Sequence, residues 1–380
     1  MKKIFIILMI STLLLSACTS NAPGAQNDTT TGTVAEETTN TNADTGTDTG
    51  SEQPEATNAE PDTKTQATIS DYFPFTPDVH MKYKGTGNEF AEYESYVDYI
   101  RDNKMQVREL NGGTQFITVY TIRDGALVST YNQGETYHRY DYTSMSSDEE
   151  IFLKEPLEPG TSWTLADGSN RSITSVDKQI TTPAGQYTAL EVTTKWEDST
   201  SRDYYVKGIG LVKSEFVTDD GQMTVLSELE SIEKDVPFKH NVSLYFPQFM
   251  EDRVVFVNRE IEIKTNQDMK WQFQKELKTI PEDGDLTKTL TKNTQINSIL
   301  VDVQSDTVTV DLSSDFVQEM NAGVGLEGML LRSITKTFGR YYEKSKVVLT
   351  LDGKPYESGH VLLQPGEAFE VKDGDDIEFK

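Results

Sequence analysis

The sequence predicts an α+β chain, in which a β-rich barrel or half-barrel is followed by an α+β sandwich whose mixed sheet carries two helices. Three observations predict it. Between residues 69 and 236, short runs rich in Tyr, Val, Thr and Ile alternate with Gly and Asp turn signals, and none sustains a helical period. From 237 to 380 the period changes, and strand-like runs are interleaved with two amphipathic helical stretches. Ahead of both lies a segment of some fifty residues that is too polar to bury a core.

The N-terminus carries Lys2 and Lys3, an apolar run from Ile4 to Ile10, and Leu13-Leu14-Leu15 leading into Ser16-Ala17-Cys18. The apolar run is short for a hydrocarbon core of about 30 Å, and a basic start with small residues at the cut site marks a signal peptide over 1–17. Leu15-Ser16-Ala17-Cys18 resembles the lipobox of bacterial lipoproteins. The resemblance implies cleavage before Cys18 and a diacylglyceryl group on its sulfur, the lipid attachment and hence the membrane contact of the mature chain. At about 0.8 kcal/mol per buried methylene, two acyl chains anchor stably where one does not. Residues 18–68 then read as a disordered, acidic, Thr-rich tether in which Val34 is the only large aliphatic residue. As a flexible coil it would span roughly 40 Å.

Over 69–236 the strand-like runs include Glu92–Ile100, Gln115–Ile122, Ala126–Tyr131 and Ala189–Lys195. Asn111-Gly112-Gly113, Asp124-Gly125, Asp167-Gly168 and Asp219-Asp220-Gly221 punctuate them. Thirteen of the seventeen tyrosines fall between Tyr72 and Tyr205. Two readings stand: a tyrosine-lined concavity for a lipid, peptide or glycan, or the ordinary preference of Tyr for half-buried strands. The segments Thr182–Val192 and Tyr205-Val206-Lys207-Gly208-Ile209-Gly210-Leu211-Val212-Lys213 resemble a motif of curved-sheet envelope domains related to lipoprotein carriers. That likeness spans about thirty residues and is not specific to one activity.

Over 237–380, Val242–Pro247 and Arg253–Lys264 read as strands. Thr265-Asn266-Gln267-Asp268 is a helix start, with Met269, Phe273, Leu277 and Ile280 on one face behind it. Strands Gln295–Val303 and Asp306–Leu312 follow, then a second helix striped by Leu330, Ile334, Phe338 and Tyr341, and a last strand Lys346–Leu351 closed by Asp352-Gly353. Val242-Ser243-Leu244-Tyr245-Phe246-Pro247, Val308–Phe316, Ser333–Phe338 and Val347–Pro355, with Ser358-Gly359-His360 behind them, resemble the GerMN domain of sporulation and germination lipoproteins. The family's namesake carries two such domains in tandem, whereas one occurs here behind a β-rich domain, so a sporulation role does not transfer directly. The resemblance implies a non-catalytic interaction or assembly module that docks onto an envelope protein.

No nucleophile elbow, phosphate loop, dinucleotide fingerprint or His-Glu-x-x-His motif occurs. His80, His138, His240 and His360 are scattered without ligand spacing, and Cys18 is the only cysteine. Asp148-Glu149-Glu150 and Asp373-Gly374-Asp375-Asp376 lack the alternating oxygens of a calcium loop and read as solvated turns. Asp311 reads as the brace of a turn rather than a catalytic carboxylate. The net charge of −27 argues against nucleic acid as a partner.

The expected function is therefore that of a lipid-anchored, extracytoplasmic, non-enzymatic envelope module without cofactor, metal or catalytic residues. The alternative is a carrier or sensor of a hydrophobic or glycan ligand held by the β-rich domain. A deep apolar cavity there would favour the carrier, and a filled core would favour docking. Arg253–Lys264, with Val255, Val257 and Ile261, is the candidate docking strand.

Overall fold

Asp124-Gly125 sits between two strands with φ of 50° and 66°, the left-handed pair that a two-residue hairpin requires. Hairpins of this kind build the N-terminal half of the computed structural model, which describes residues 66–281, 285–372, 374 and 376–379. The signal segment, Cys18 and the tether up to residue 65 lie outside the described residues.

A four-residue helix, α1 (Ile69–Tyr72), precedes twelve strands. The first meander is β1 (Val79–Thr86), β2 (Tyr93–Arg101), β3 (Lys104–Asn111), β4 (Gln115–Arg123), β5 (Ala126–Gln133) and β6 (Glu150–Lys154). The second is β7 (Ser162–Thr164), β8 (Asn170–Thr182), β9 (Gly185–Lys195), β10 (Ser199–Val206), β11 (Gly210–Thr218) and β12 (Thr224–Lys234). All pair antiparallel, and β1 joins β12 in register from Val79↔Lys234 to Thr86↔Leu226. The sheet order β6-β5-β4-β3-β2-β1-β12-β11-β10-β9-β8-β7 leaves β6 and β7 as edges of a nearly closed barrel. Side chains bridge the seam. Trp163 Nε1 on β7 and Arg171 Nη1 on β8 donate to the Ile151 carbonyl on β6 at 3.1 and 2.8 Å. These contacts occupy the Ile151 carbonyl, one of the edge acceptors that would otherwise be free to pair with another strand.

The C-terminal half consists of β13 (Phe238–Gln248), β14 (Arg253–Ile263), α2 (Met269–Glu276), β15 (Ile296–Asp302), β16 (Thr307–Leu312), α3 (Asp315–Met320), α4 (Val324–Tyr341), β17 (Lys346–Leu351), β18 (Lys354–Pro355), β19 (Phe369–Glu370) and β20 (Ile377–Glu378). The two long helices fall where the sequence places them. Asp268 caps α2 by accepting from the Lys270 amide at 2.9 Å, and Met269, Phe273 and Leu277 are buried beneath it.

The expectation of one mixed sheet with both helices on a single face needs correction. There are two sheets, β13-β14-β20 and the mixed β15-β16-β17-β18 with β19 on β17, and α4 packs against strands of both. The Leu330, Ile334 and Phe338 stripe is in the core, but so are Ser333, Thr335, Lys336 and Thr337 on what reads as the polar face. Their polar atoms are largely satisfied internally. Thr335 Oγ1 donates to the Leu331 carbonyl at 2.8 Å, Thr337 Oγ1 accepts from the Tyr245 amide at 3.0 Å, and Lys336 Nζ meets Asp376 at 2.7 Å. A second sheet therefore covers residues whose type suggests solvent.

Residues from Ala67 onward form one compact unit, and a buried polar layer ties its two halves together. Asp98 on the outer face of β2 accepts from Arg108 Nε at 3.1 Å and from Arg139 Nη1 at 2.6 Å. Arg139 Nη2 also donates to the carbonyls of Asp98 at 2.6 Å and Lys264 at 3.0 Å, and its amide donates to Tyr341 Oη at 3.0 Å. Burial alone would raise the Asp98 carboxyl, but the two guanidinium groups hold it below its usual value.

Candidate ligand-binding site

On the first three strands, side chains alternate between the two faces of the sheet. The inward set is Val79, Met81 and Tyr83 on β1, Tyr93, Ser95 and Val97 on β2, and Met105, Val107 and Glu109 on β3. These residues line a cavity of about 430 Å³ inside the β-rich domain, with Tyr120, Leu211 and Ile232 on further strands. The volume lies within the range of small-molecule sites, and apolar walls with few polar groups are their usual composition. One end is closed by Phe73 and Pro74 behind α1 and by the β10–β11 turn Gly208-Ile209-Gly210, pinned where the Gly208 amide donates to the Asp71 carbonyl at 2.7 Å. Gly208 and Gly210 take φ of 75° and 112°, so the motif noted in the sequence is the conformation of this wall.

Polar groups inside are few. Tyr83 and Tyr93 stack at 4.3 Å, and Tyr83 Oη donates to the Leu211 carbonyl at 2.8 Å. Burial raises the hydroxyls of Tyr83, Tyr93 and Tyr120, and the nearby Glu109 raises them further. Glu109 stands directly across from Ser95 in the β2–β3 register. It retains partial surface because it faces the cavity, yet burial pushes its carboxyl up to about 7. No hydrogen bond or ion pair satisfies that carboxylate among the described residues. Lys234 also lines the cavity, but it is solvent-exposed at the rim.

Glu109 was not legible as a site residue in the sequence, where it is one acid among 62 Asp and Glu. The available signal was its phase: it takes an inward position on an alternating strand. Both readings of the tyrosines have a share. Tyr83, Tyr93 and Tyr120 line the cavity, whereas Tyr131 and Tyr142 belong to a separate packed cluster.

Three of the four scattered histidines, His80, His138 and His360, acquire polar partners in three dimensions, whereas His240 Nε2 is buried without a hydrogen bond. His80 lies between Glu94 and Glu233 at 2.9 and 3.1 Å, and His138 Nε2 meets Tyr142 Oη at 2.7 Å. Burial, assisted by Arg108, pushes the His240 imidazole down to about 4. His360 Nδ1 pairs at 2.6 Å with Glu327, whose other oxygen accepts from Tyr356 at 2.7 Å. That dyad is 33 residues apart in sequence, which hid it. The adjacent Ser358 hydroxyl is engaged as acceptor for the amides of His360 and Val361.

Glu149 and Glu150 pair with Arg123 and Arg171, and Asp376 with Lys336 and Arg340. Asp373 and Asp375 lie outside the described residues. Among the described residues no group of three or more His, Cys, Asp and Glu is placed to hold a metal ion. Asp311 braces the β17–β18 turn, accepting from Thr350 Oγ1 at 2.5 Å and the Gly353 amide at 2.8 Å. The candidate docking strand needs correction. β14 pairs along its whole length with β13, and Val255 on it, 1% exposed, also pairs with Ile377 of β20. Val255 and Ile261 are core residues, and Val257 packs against that core.

Residues 243–357 match the model of the Germane family, described as sporulation and spore germination. No curated protein matches the chain. Among solved structures, an exported protein of YmcC-like fold from Bacteroides fragilis aligns at 15% identity and a TM-score of 0.29, covering 43% of this chain and 99% of its own. The tandem GerMN domains of the sporulation protein GerM from Bacillus subtilis align at 14% identity and a TM-score of 0.26, covering 37% of this chain and 48% of that one. A protein described as a lipoprotein from Clostridium perfringens aligns at 20% identity and a TM-score of 0.23, covering 35% of this chain and 87% of its own. The chain thus spans about half of the GerM tandem, and none of these likenesses bears on function. From the middle of β13 to the turn after β18, residues 243–357, this chain carries a Germane domain, the GerMN-related fold of sporulation and spore germination proteins.

Proposed function

We propose that the chain is a non-catalytic, extracytoplasmic binding module, anchored through a lipid on Cys18, whose β-rich domain encloses one hydrophobic ligand. The cavity of about 430 Å³ carries this reading, because a mainly apolar space of that size suits a carrier or sensor and is not needed by a simple docking domain. Its apolar lining favours a hydrophobic ligand over a glycan, which would leave many hydroxyls unpaired.

The test is binding of the neutral dye Nile red to the full chain, followed by fluorescence, in the wild type and in the cavity-filling variants Val107→Trp and Met81→Trp. One saturable site is expected, with affinity falling at least tenfold in whichever variant keeps the wild-type circular dichroism spectrum. Unchanged binding in a folded filled variant overturns the reading. For the anchor, Cys18→Ala is expected to abolish incorporation of labelled palmitate in cells, since no other thiol exists in the chain. Labelling of that variant would refute the lipidation step alone.

A second reading, an envelope-protein partner for the Germane domain, is supported by β15. It is an edge strand of its sheet, with Leu300 57% exposed. Leu300→Lys is expected to reduce recovery of a cross-linked partner from membranes while leaving Nile red binding intact. Full recovery would exclude this strand.

A further inference from the structure

Every inward residue of β1, β2 and β3 in the cavity is apolar or an uncharged polar group except Glu109. Its carboxylate has no protein partner among the described residues, and the rest of its surroundings are Ser95, three tyrosines and aliphatic or thioether walls. A ligand that fills the cavity strips water from this group. A wholly apolar ligand leaves the carboxylate buried and unpaired, and a ligand carrying its own carboxylate brings a like charge beside it. The lining's only cation, Lys234, is solvent-exposed and forms no ion pair with Glu109.

Resting on the hydrophobic-ligand reading above, we propose that the cavity selects an amphiphile whose polar end donates a hydrogen bond to Glu109, an alkyl amine or alcohol, over a free fatty-acid carboxylate. Ser95 and the tyrosine hydroxyls can also accept, but Glu109 is the one anionic acceptor in the lining, and its charge makes it the stronger partner for a donor from the ligand. A cavity of about 430 Å³ with one anionic acceptor in its lining points to a modest aliphatic body with a donor head directed inward.

The experiment displaces Nile red from the full chain at pH 8 with decylamine, decanol and decanoate, in the wild type and in Glu109→Gln, Glu109→Leu and Lys234→Gln. The wild type is expected to bind decylamine and decanol at least tenfold more tightly than decanoate. Glu109→Leu should remove the preference for decylamine over decanoate, and Glu109→Gln should weaken decylamine while retaining decanol. Lys234→Gln should leave the ranking unchanged. Equal or tighter binding of decanoate by the wild type, weakened by Lys234→Gln, would place the head at the rim and overturn the proposal. An unchanged ranking in both Glu109 variants would also overturn it. If neither Nile red nor any decyl compound binds the wild type, the hydrophobic-ligand reading itself fails; if all bind without head discrimination, only the present proposal does.

Discussion

Asp98 is the counter-ion for two guanidinium groups that are themselves 0% and 1% exposed, Arg108 and Arg139. Removing one member of such a set leaves buried charge uncompensated, which typically costs about 3–5 kcal/mol. Asp98→Ala is therefore expected to lower stability by that amount in urea denaturation, and a loss under about 1 kcal/mol would show that backbone carbonyls alone satisfy the arginines. Glu109 acts in the opposite sense. Its folded value near 7 lies above the ordinary 4.5, so the folded state holds its proton more tightly than the unfolded chain. The Glu109 contribution is intact below pH 4.5 and is lost as pH rises through 7. Glu109→Gln should therefore gain stability over the wild type between pH 5 and 8, by on the order of 1–3 kcal/mol once water in the cavity is allowed for. A difference that stays constant across that range would refute the assignment.

At the scale of elements, α4 shows how two neighbours constrain one helix. A Cβ added at Gly339 would stand 2.2 Å from Val371 Cγ2 and 3.0 Å from the Lys344 carbonyl oxygen. The helix-propensity gain of about 1 kcal/mol that Gly→Ala ordinarily brings is thereby opposed by overpacking worth about 1–3 kcal/mol. Gly339→Ala should lower Tm, whereas a rise would mean the 371 segment moves aside freely. For β14, burial of Val255 implies that Val255→Asp abolishes the native circular dichroism signal rather than merely releasing a partner. A folded Val255→Asp variant would contradict the core position.

The whole molecule joins a β barrel to a Germane domain through three residues, Asp235-Val236-Pro237, between β12 and β13. Hydrogen bonds cross the junction beside the arginine layer, where the Asp78 amide donates to Thr265 Oγ1 at 2.8 Å and the Thr265 amide to Asp78 Oδ1 at 2.7 Å. The described unit should therefore unfold as one, with far-ultraviolet circular dichroism and tryptophan fluorescence following a single urea transition. In Asp98→Ala the two signals are expected to separate, because the barrel carries Trp163 in its core and the shared polar layer is broken. Two transitions already in the wild type would show that the halves are independent.

The sequence by itself determined what depends on neighbours along the chain. The 3.6-residue stripe Met269, Phe273, Leu277 marked α2, and Asp124-Gly125 marked a hairpin because only a left-handed pair closes it. The run Val308-Thr309-Val310-Asp311-Leu312 fixed β16 through its alternation, and ordered motifs from 242 to 355 disclosed the Germane domain. Tertiary structure alone decided what depends on residues distant in sequence. It paired β20 with β14 and made a second sheet, which turned Thr335, Lys336 and Thr337 from an apparent solvent face into core. It joined His360 to Glu327 and enclosed Glu109 within strands drawn from both meanders. Periodicity says which face of a strand or helix a residue occupies, but only the packing of whole elements says what that face meets.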